Sequence, residues 1–351
     1  MRIVIVGQQA FGKAVLDAFV ARGDTIVGVF AAPEKPGSRP DPLVVAAEEK
    51  KFPVYRFAKY SDPEALAALK ALDADIGVMA YVLLFAPPEF CAIPKHGMIQ
   101  FHPSLLPLHR GPASIPWAII RGRHETGLTI FRPTPGLDEG PVILQKRCAI
   151  GPNDTAASLY FDKIFPLGVE ALLQAADLVN LGRATEWTQD EKEATYEGWV
   201  REAEARINWA SHVDFVYDLI RGCNPAPGAW TTIKAPEGKA PEGKTPEDKT
   251  PEDKADEGKA PGGKAPEGKA DASKAEKADR KLYLFDAKKI MAPTFGAVRG
   301  KKLGEVVSAG PEGLRIHAQG GFIEVSRLRL GDGAKVKSTE LDIPVGTILG
   351  G

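Results

Sequence analysis

Three residues, at two points of the chain, have types that together perform acyl transfer. Gln100 and His102 lie in IQFHPSLLPLHRG (99–111), and Asp138 lies in RPTPGLDEGP (132–141). An imidazole moves protons near neutral pH and, when cationic, stabilises an oxyanion. A primary amide donates to the same oxygen. A carboxylate beside the imidazole orients the ring and favours its protonated form. Gln100 and His102 are two residues apart in a strand-like run, so both side chains leave one strand face. Pro103 and Pro107 stiffen the loop that follows. Asp138 stands between Leu137 and Glu139, with Gly136 and Gly140 on either side, where an aspartate also serves to cap backbone donors. Ser104 is read as a structural hydroxyl, because S-L-L lacks the G-x-S-x-G elbow of a nucleophilic serine.

These residues need strands that end side by side. RIVIVG (2–7) is a continuous apolar run closed by glycine, which predicts a buried parallel strand. Phe11, Val15, Leu16, Phe19 and Val20 recur at helical spacing, and Gly23 supplies a stop. TIVGVF (25–30), a helix over 63–72, DIGVMAY (75–81), strands at 97–101, 127–132 and 142–149, and a long helix across about 155–180 continue the alternation. Such alternation predicts an α/β domain with a Rossmann-like, doubly wound, mainly parallel sheet, in which ligands lie beyond the carboxyl ends of the strands. VGQQAFGKAV fails the dinucleotide fingerprint: Gly7 and Gly12 are too far apart, and no acidic residue closes the second strand. NAD is not expected.

With 351 residues, two domains are expected. Lys and Arg (45) nearly balance Asp and Glu (46), for a net charge of −1, which predicts no global attraction to nucleic acid or membrane. No apolar run reaches the length of a bilayer span, and the amino-terminal run is too short for a signal peptide. Cys91, Cys148 and Cys223 are widely spaced without a CxxC, so neither a disulfide framework nor a metal site is expected, and a reducing cytoplasmic setting is. Residues 1–185 are read as the catalytic domain, 186–202 as a linker and 203–351 as a second domain. The latter opens with an amphipathic helix or helix pair in RINWASHVDFVYDLIRG. It ends in short strands (KLYLF, GEVVSA, GLRIHAQ, GFIEVSRLRL) that predict a small, partly open antiparallel OB-like barrel. Within it, lysine recurs every fifth residue from 239 to 274 in a Pro-, Gly- and Glu-rich tract with almost no apolar side chain; 235–280 is read as a disordered hairpin insertion. His96, His109, His124, His212 and His317 are read as loop or surface residues, Cys148 as core, and Trp117 and Trp209 as packing anchors.

FHPSLLPLHRG together with TIFRPTPGLDEGPVILQK resembles the folate-dependent formyltransferase family. Its hallmark is a histidine followed by SLLP, an RG pair, and a downstream strand ending in a D-x-G loop. GQQAFGKAVL, DPLVVAAEEKKFPVY, PNDTAASLY, ATYEGW and IRG…PAPGAWT extend the likeness over most of the chain outside the repeat. The resemblance implies that 10-formyltetrahydrofolate is the formyl donor, with no metal. It implies catalytic roles for His102, Asp138 and Gln100, and a pterin site formed by Tyr81, Leu83, Phe85 and Ala86 of YVLLFAP and by Pro135, Gly136 and Leu137. Gln100 stands where many members carry Asn; the extra methylene extends its reach by about 1.5 Å. Arg110 has two readings, a contact with the folate glutamate tail or a structural ion pair.

The resemblance leaves four acceptor readings: water, the amine of methionyl-tRNA, a small amine such as that of a sugar nucleotide, or none, as in a folate-binding protein. AAPEKPGSRPDP (31–42) is short and of mixed charge where the tRNA enzyme carries a basic insertion. From Leu282 onward ten Lys and Arg face seven Asp and Glu, only mildly basic. Both favour water or a small amine over tRNA, and water, with it a hydrolase-like enzyme of one-carbon metabolism, is the leading reading.

Overall fold

The computed structural model describes residues 1–234, 279–292, 296 and 299–350. Of the insertion expected at 235–280, residues 235–278 therefore lie outside the described residues, and Arg280 already belongs to a strand.

The first domain runs β1 (Arg2–Gly7), α1 (Gln9–Arg22), β2 (Thr25–Ala31), α2 (Pro42–Glu49), β3 (Val54–Arg56), α3 (Pro63–Ala71), β4 (Ile76–Ala80), α4 (Pro88–Cys91), β5 (Met98–His102), α5 (Ser114–Ile120), β6 (Glu125–Phe131), β7 (Val142–Ala149), α6 (Ala156–Ser158), a π-helical turn (Leu159–Ile164) and α7 (Phe165–Asn180). Its seven strands lie in the order β3-β2-β1-β4-β5-β6-β7. The first five are parallel, and β6 and β7 run antiparallel. Alternation along β1 divides the core: Ile3 and Ile5 pack with α1 and α7, while Val4 and Val6 pack with Phe30, Tyr60 and Phe90 on the other face. Helices thus cover both faces, as a doubly wound sheet requires. A Cβ on Gly7 would lie 1.9 Å from the Ala80 carbonyl oxygen, so β1 meets β4 this closely only with glycine there. At the amino end of α1, the Gln9 N–H donates to both carboxylate oxygens of Asp41, at 3.0 and 2.9 Å. A side chain of the chain itself occupies the place a pyrophosphate takes in dinucleotide folds.

The long helix expected across about 155–180 is present in three parts. Pro166 has no N–H to offer the preceding turn, so the hydrogen-bond ladder widens into the π-helical turn before resuming in α7. The short β3 and α2 were not expected.

The second domain comprises α8 (Val213–Gly222), β8 (Ala229–Ile233), β9 (Arg280–Met291), β10 (Val306–Gly310), β11 (Gly313–Ala318), β12 (Gly321–Leu330) and β13 (Val336–Lys337). Its antiparallel sheet has the order β10-β11-β12-β9-β8, with β13 beside β12. Residues 346–350 bridge the two sheet edges. The Gly346 N–H donates to the Val306 carbonyl at 2.8 Å, and the Gly350 N–H to the Thr232 carbonyl at 2.9 Å. The expected barrel-like closure is thus made by an irregular segment rather than by a strand ladder. Ile233, near the end of the described stretch, pairs with Arg280, where β9 begins. The helix expected from the start of RINWASHVDFVYDLIRG begins only at Val213. Residues before it pair with β8 instead: the Ile207 N–H donates to the Trp230 carbonyl and the Trp230 N–H to that of Ala205. Trp209 is buried in this core, and Trp117 packs against it from α5.

Among the described residues, no helix is long and apolar enough to cross a membrane.

Candidate active site

β5 ends at His102, with Gln100 two residues earlier and opposite Phe131 of β6. His102 is opposite Thr129, whose hydroxyl donates to the Ser104 carbonyl at 2.7 Å and accepts from the Leu106 N–H at 3.0 Å. The stiff loop after the histidine is thereby pinned over β6. Ser104 is fully buried and its hydroxyl donates to the Leu108 carbonyl at 2.6 Å, the structural role expected of it.

The His102 ring is buried and held at both nitrogens. Nε2 lies 2.8 Å from the His109 carbonyl oxygen. A carbonyl only accepts, so Nε2 carries the proton and Nδ1 holds the lone pair. Nδ1 lies 3.5 Å from Oδ2 of Asp138. The same Oδ2 accepts the Gly111 N–H at 2.9 Å. Asp138 adopts a left-handed conformation (φ 55°), which aspartate tolerates better than most residues. Its turn requires its glycines: a Cβ on Gly140 would lie 1.7 Å from the Arg132 carbonyl oxygen. The Gln100 amide makes no hydrogen bond among the described residues.

Two cavities meet here. One, of about 370 Å³, is lined by Val82–Ala86, Phe131 and the 133–138 turn. The other, of about 360 Å³, is lined by His102, Pro103, Pro112, Ile115, Tyr160 and Trp199, among others. Val82, Leu83, Gln100, Leu137 and Asp138 line both, so the amide and the carboxylate stand in the wall between them. Every residue expected to contact the pterin lies on this cleft: Leu83, Phe85, Ala86, Pro135, Gly136 and Leu137 in the first compartment, Tyr81 in the second. Tyr81 is left-handed (φ 61°), and Tyr160 reaches the cleft from the π-helical turn. Burial pushes the Tyr160 phenol up to about 12, and Tyr81 adds to the effect.

The structure selects between the two readings of Arg110 and departs from the reading of several other residues. Arg110 is fully buried and does not reach the cleft. Its guanidinium donates to Gln189, Glu191 and Tyr196, which selects the structural reading. His109 and His317 are buried rather than on the surface. Cys148 is only partly buried. The segment 186–202, read as a linker, supplies Gln189, Thr195 and Glu197 to the scaffold under the site. Thr195 and Glu197 fall in ATYEGW, a segment of the likeness noted from sequence, but nothing local points to their partners, which for this strap lie 49 to 88 residues away.

His109 pairs with Glu197 (Nδ1 to Oε2, 3.1 Å). Burial holds its imidazole below the ordinary histidine value, with the Glu197 carboxylate opposing. The unfolded chain, titrating near about 6.5, then binds more protons than the folded one, so stability is lost as the pH falls through that range. Urea midpoints measured between neutral and mildly acidic pH will decline in the wild type, and less steeply in His109→Gln.

Among the described residues, no three His, Cys, Asp or Glu side chains converge as metal ligands. The arrangement can accept a proton at Nδ1, balance the resulting charge with Asp138, and present the Gln100 amide to a developing oxyanion.

Comparison with known proteins identifies the same architecture. Residues 1–175 match the formyl transferase family model and residues 200–342 its C-terminal domain. Cytosolic 10-formyltetrahydrofolate dehydrogenase of Homo sapiens is 39% identical over 236 residues, covering 66% of this chain and 26% of that protein. The chain thus matches about a quarter of that relative's length. Methionyl-tRNA formyltransferase of Geobacter metallireducens is 33% identical over 238 residues, 66% of this chain and 76% of that one. In structure, an N-formyltransferase of Helicobacter canadensis, solved with folinic acid and dTDP-3-aminofucose, aligns over 93% of this chain and 98% of its own at 13% identity, with a TM-score of 0.60. A histidine at the end of β5, a carboxylate in the D-x-G turn and a trailing antiparallel domain therefore occur together because the chain belongs to the formyl transferase family.

Proposed function

We propose that the protein releases the formyl group of 10-formyltetrahydrofolate to water, giving formate and tetrahydrofolate. The observation that carries this reading is the fixed His102 tautomer, with Nδ1 turned to Asp138 beside the wall between the two compartments. The apolar first compartment suits a flat heterocycle. As water attacks the formyl carbon, the carbonyl electron pair moves to oxygen, where the Gln100 amide donates. Nδ1 of His102 takes the water proton, and Asp138 balances the imidazolium. That proton passes to N10 as the C–N bond breaks.

Water is favoured as acceptor by the second compartment. Its lining holds Pro103, Pro112, Ala113, Ile115, Pro116 and the rings of Tyr81, Phe101, Tyr160 and Trp199, but no Lys or Arg. A phosphate next to the acceptor nucleophile would be desolvated there without a counter-charge. The methionyl-tRNA formyltransferase relative supports the second reading, transfer to the methionyl-tRNA amine. Tetrahydrofolate release is followed with and without methionyl-tRNA. Formate production at a rate indifferent to the RNA supports water; turnover only with charged tRNA, and formyl on methionine, establishes the second reading. No release under either condition refutes both.

A further inference from the structure

Residues 189–197 cross the first domain as a strap, and its contacts converge on the two halves of the dyad. The Gln189 amide oxygen accepts from Nε and a terminal nitrogen of buried Arg110, at 3.2 and 2.8 Å. Its NH2 donates to the carbonyls of Asp138 and Gly140, both at 2.8 Å. A flipped amide would face donor to donor and acceptor to acceptor, so one orientation is imposed. Glu191 completes the arginine cage at 2.9 and 2.6 Å. On the histidine side, the Thr195 hydroxyl accepts the His109 N–H at 2.7 Å. The Thr195 carbonyl accepts from the Arg110 N–H at 2.9 Å, and the Glu197 N–H donates to the Arg110 carbonyl at 3.0 Å. His109 is left-handed (φ 57°), a conformation uncommon outside glycine, and its carbonyl is the acceptor that fixes the His102 tautomer. The strap lies so close that a Cβ on Gly111 would be 2.4 Å from the Glu197 carbonyl oxygen.

We infer that Thr195 and Gln189 are positioning residues for the reaction proposed above, on which their kinetic role rests. Thr195 takes the N–H on either side of His109, its own through the hydroxyl and that of Arg110 through the carbonyl, and so places the His109 carbonyl that keeps the proton on Nε2 of His102. Gln189 holds the turn that presents Asp138. Neither lines the cleft. The strap thereby sets the protonation geometry of a dyad whose side chains it does not touch.

The test uses Thr195→Val, Thr195→Ser and Gln189→Met in the full chain, with the ring 15N shifts of His102 recorded above the histidine titration range. The wild type shows the single Nε2–H tautomer. Thr195→Val populates both tautomers and lowers kcat about 10- to 100-fold, with KM for the folate donor within about threefold. Thr195→Ser, which keeps the hydroxyl, restores both readouts. Gln189→Met retains the tautomer and lowers kcat by a similar factor. A Thr195→Val protein with one tautomer and wild-type kcat overturns the inference. If Gln189→Met does not fold, the threonine pair decides. If the wild type releases no formyl group, the proposed function fails, and the ring shifts still decide whether the strap sets the tautomer.

Discussion

His102→Ala is expected to lower kcat for formyl release at least about 10³-fold, since one side chain supplies both proton transfer and oxyanion stabilisation. Binding of the folate should change little, because the pterin compartment is lined by Val82–Ala86 and the 133–138 turn and not by the ring. The fold should also persist: the imidazole makes one hydrogen bond, to the His109 carbonyl, and the loop after it is pinned independently by Thr129. Single-turnover release with titrated tetrahydrofolate binding separates the two effects. Unchanged turnover would remove His102 from the mechanism.

Asp138→Asn isolates the charge. Asparagine tolerates the left-handed conformation of this position, and its amide oxygen can still accept the Gly111 N–H. The turn also keeps its anchor, because Gln189 holds the backbone carbonyl and not the side chain. What disappears is the negative charge 3.5 Å from Nδ1. An imidazolium formed during attack then has no counter-charge, and kcat is expected to fall about 10²- to 10³-fold at nearly constant melting temperature. A variant that retains wild-type kcat would reduce Asp138 to a loop cap.

Much of the site was legible in the sequence because its residues announce themselves locally. An apolar run ending in His102 and a glycine-flanked aspartate are signals of strand end and tight turn, and strand alternation places both at one sheet edge. The doubly wound sheet follows from the same alternation. The rest depends on distant pairs. Arg110 keeps two readings, ligand contact or structural ion pair, until Glu191 and Gln189 close around it, some 80 residues away. His109 reads as a loop residue because nothing nearby points to Glu197. Pairing of residues 205–207 with β8 likewise overrode an apolar spacing that fits a helix, since Ile207 and Trp209 bury equally well from an extended chain.

The strap also changes what counts as a separable part. The chain passes from one sheet to the other through residues whose side chains belong to the first sheet's chemistry. A chimera joined at the apparent end of the first domain, near residue 185, would inherit the cleft and the dyad but leave behind the groups that fix Asp138 and the His109 carbonyl. It would fold around a loosened centre. Grafts that carry residues 186–202 with the first sheet keep that frame intact, so exchange between relatives of this architecture is constrained to joints beyond it. What reads as a tether between two modules is, mechanically, the last piece of the first.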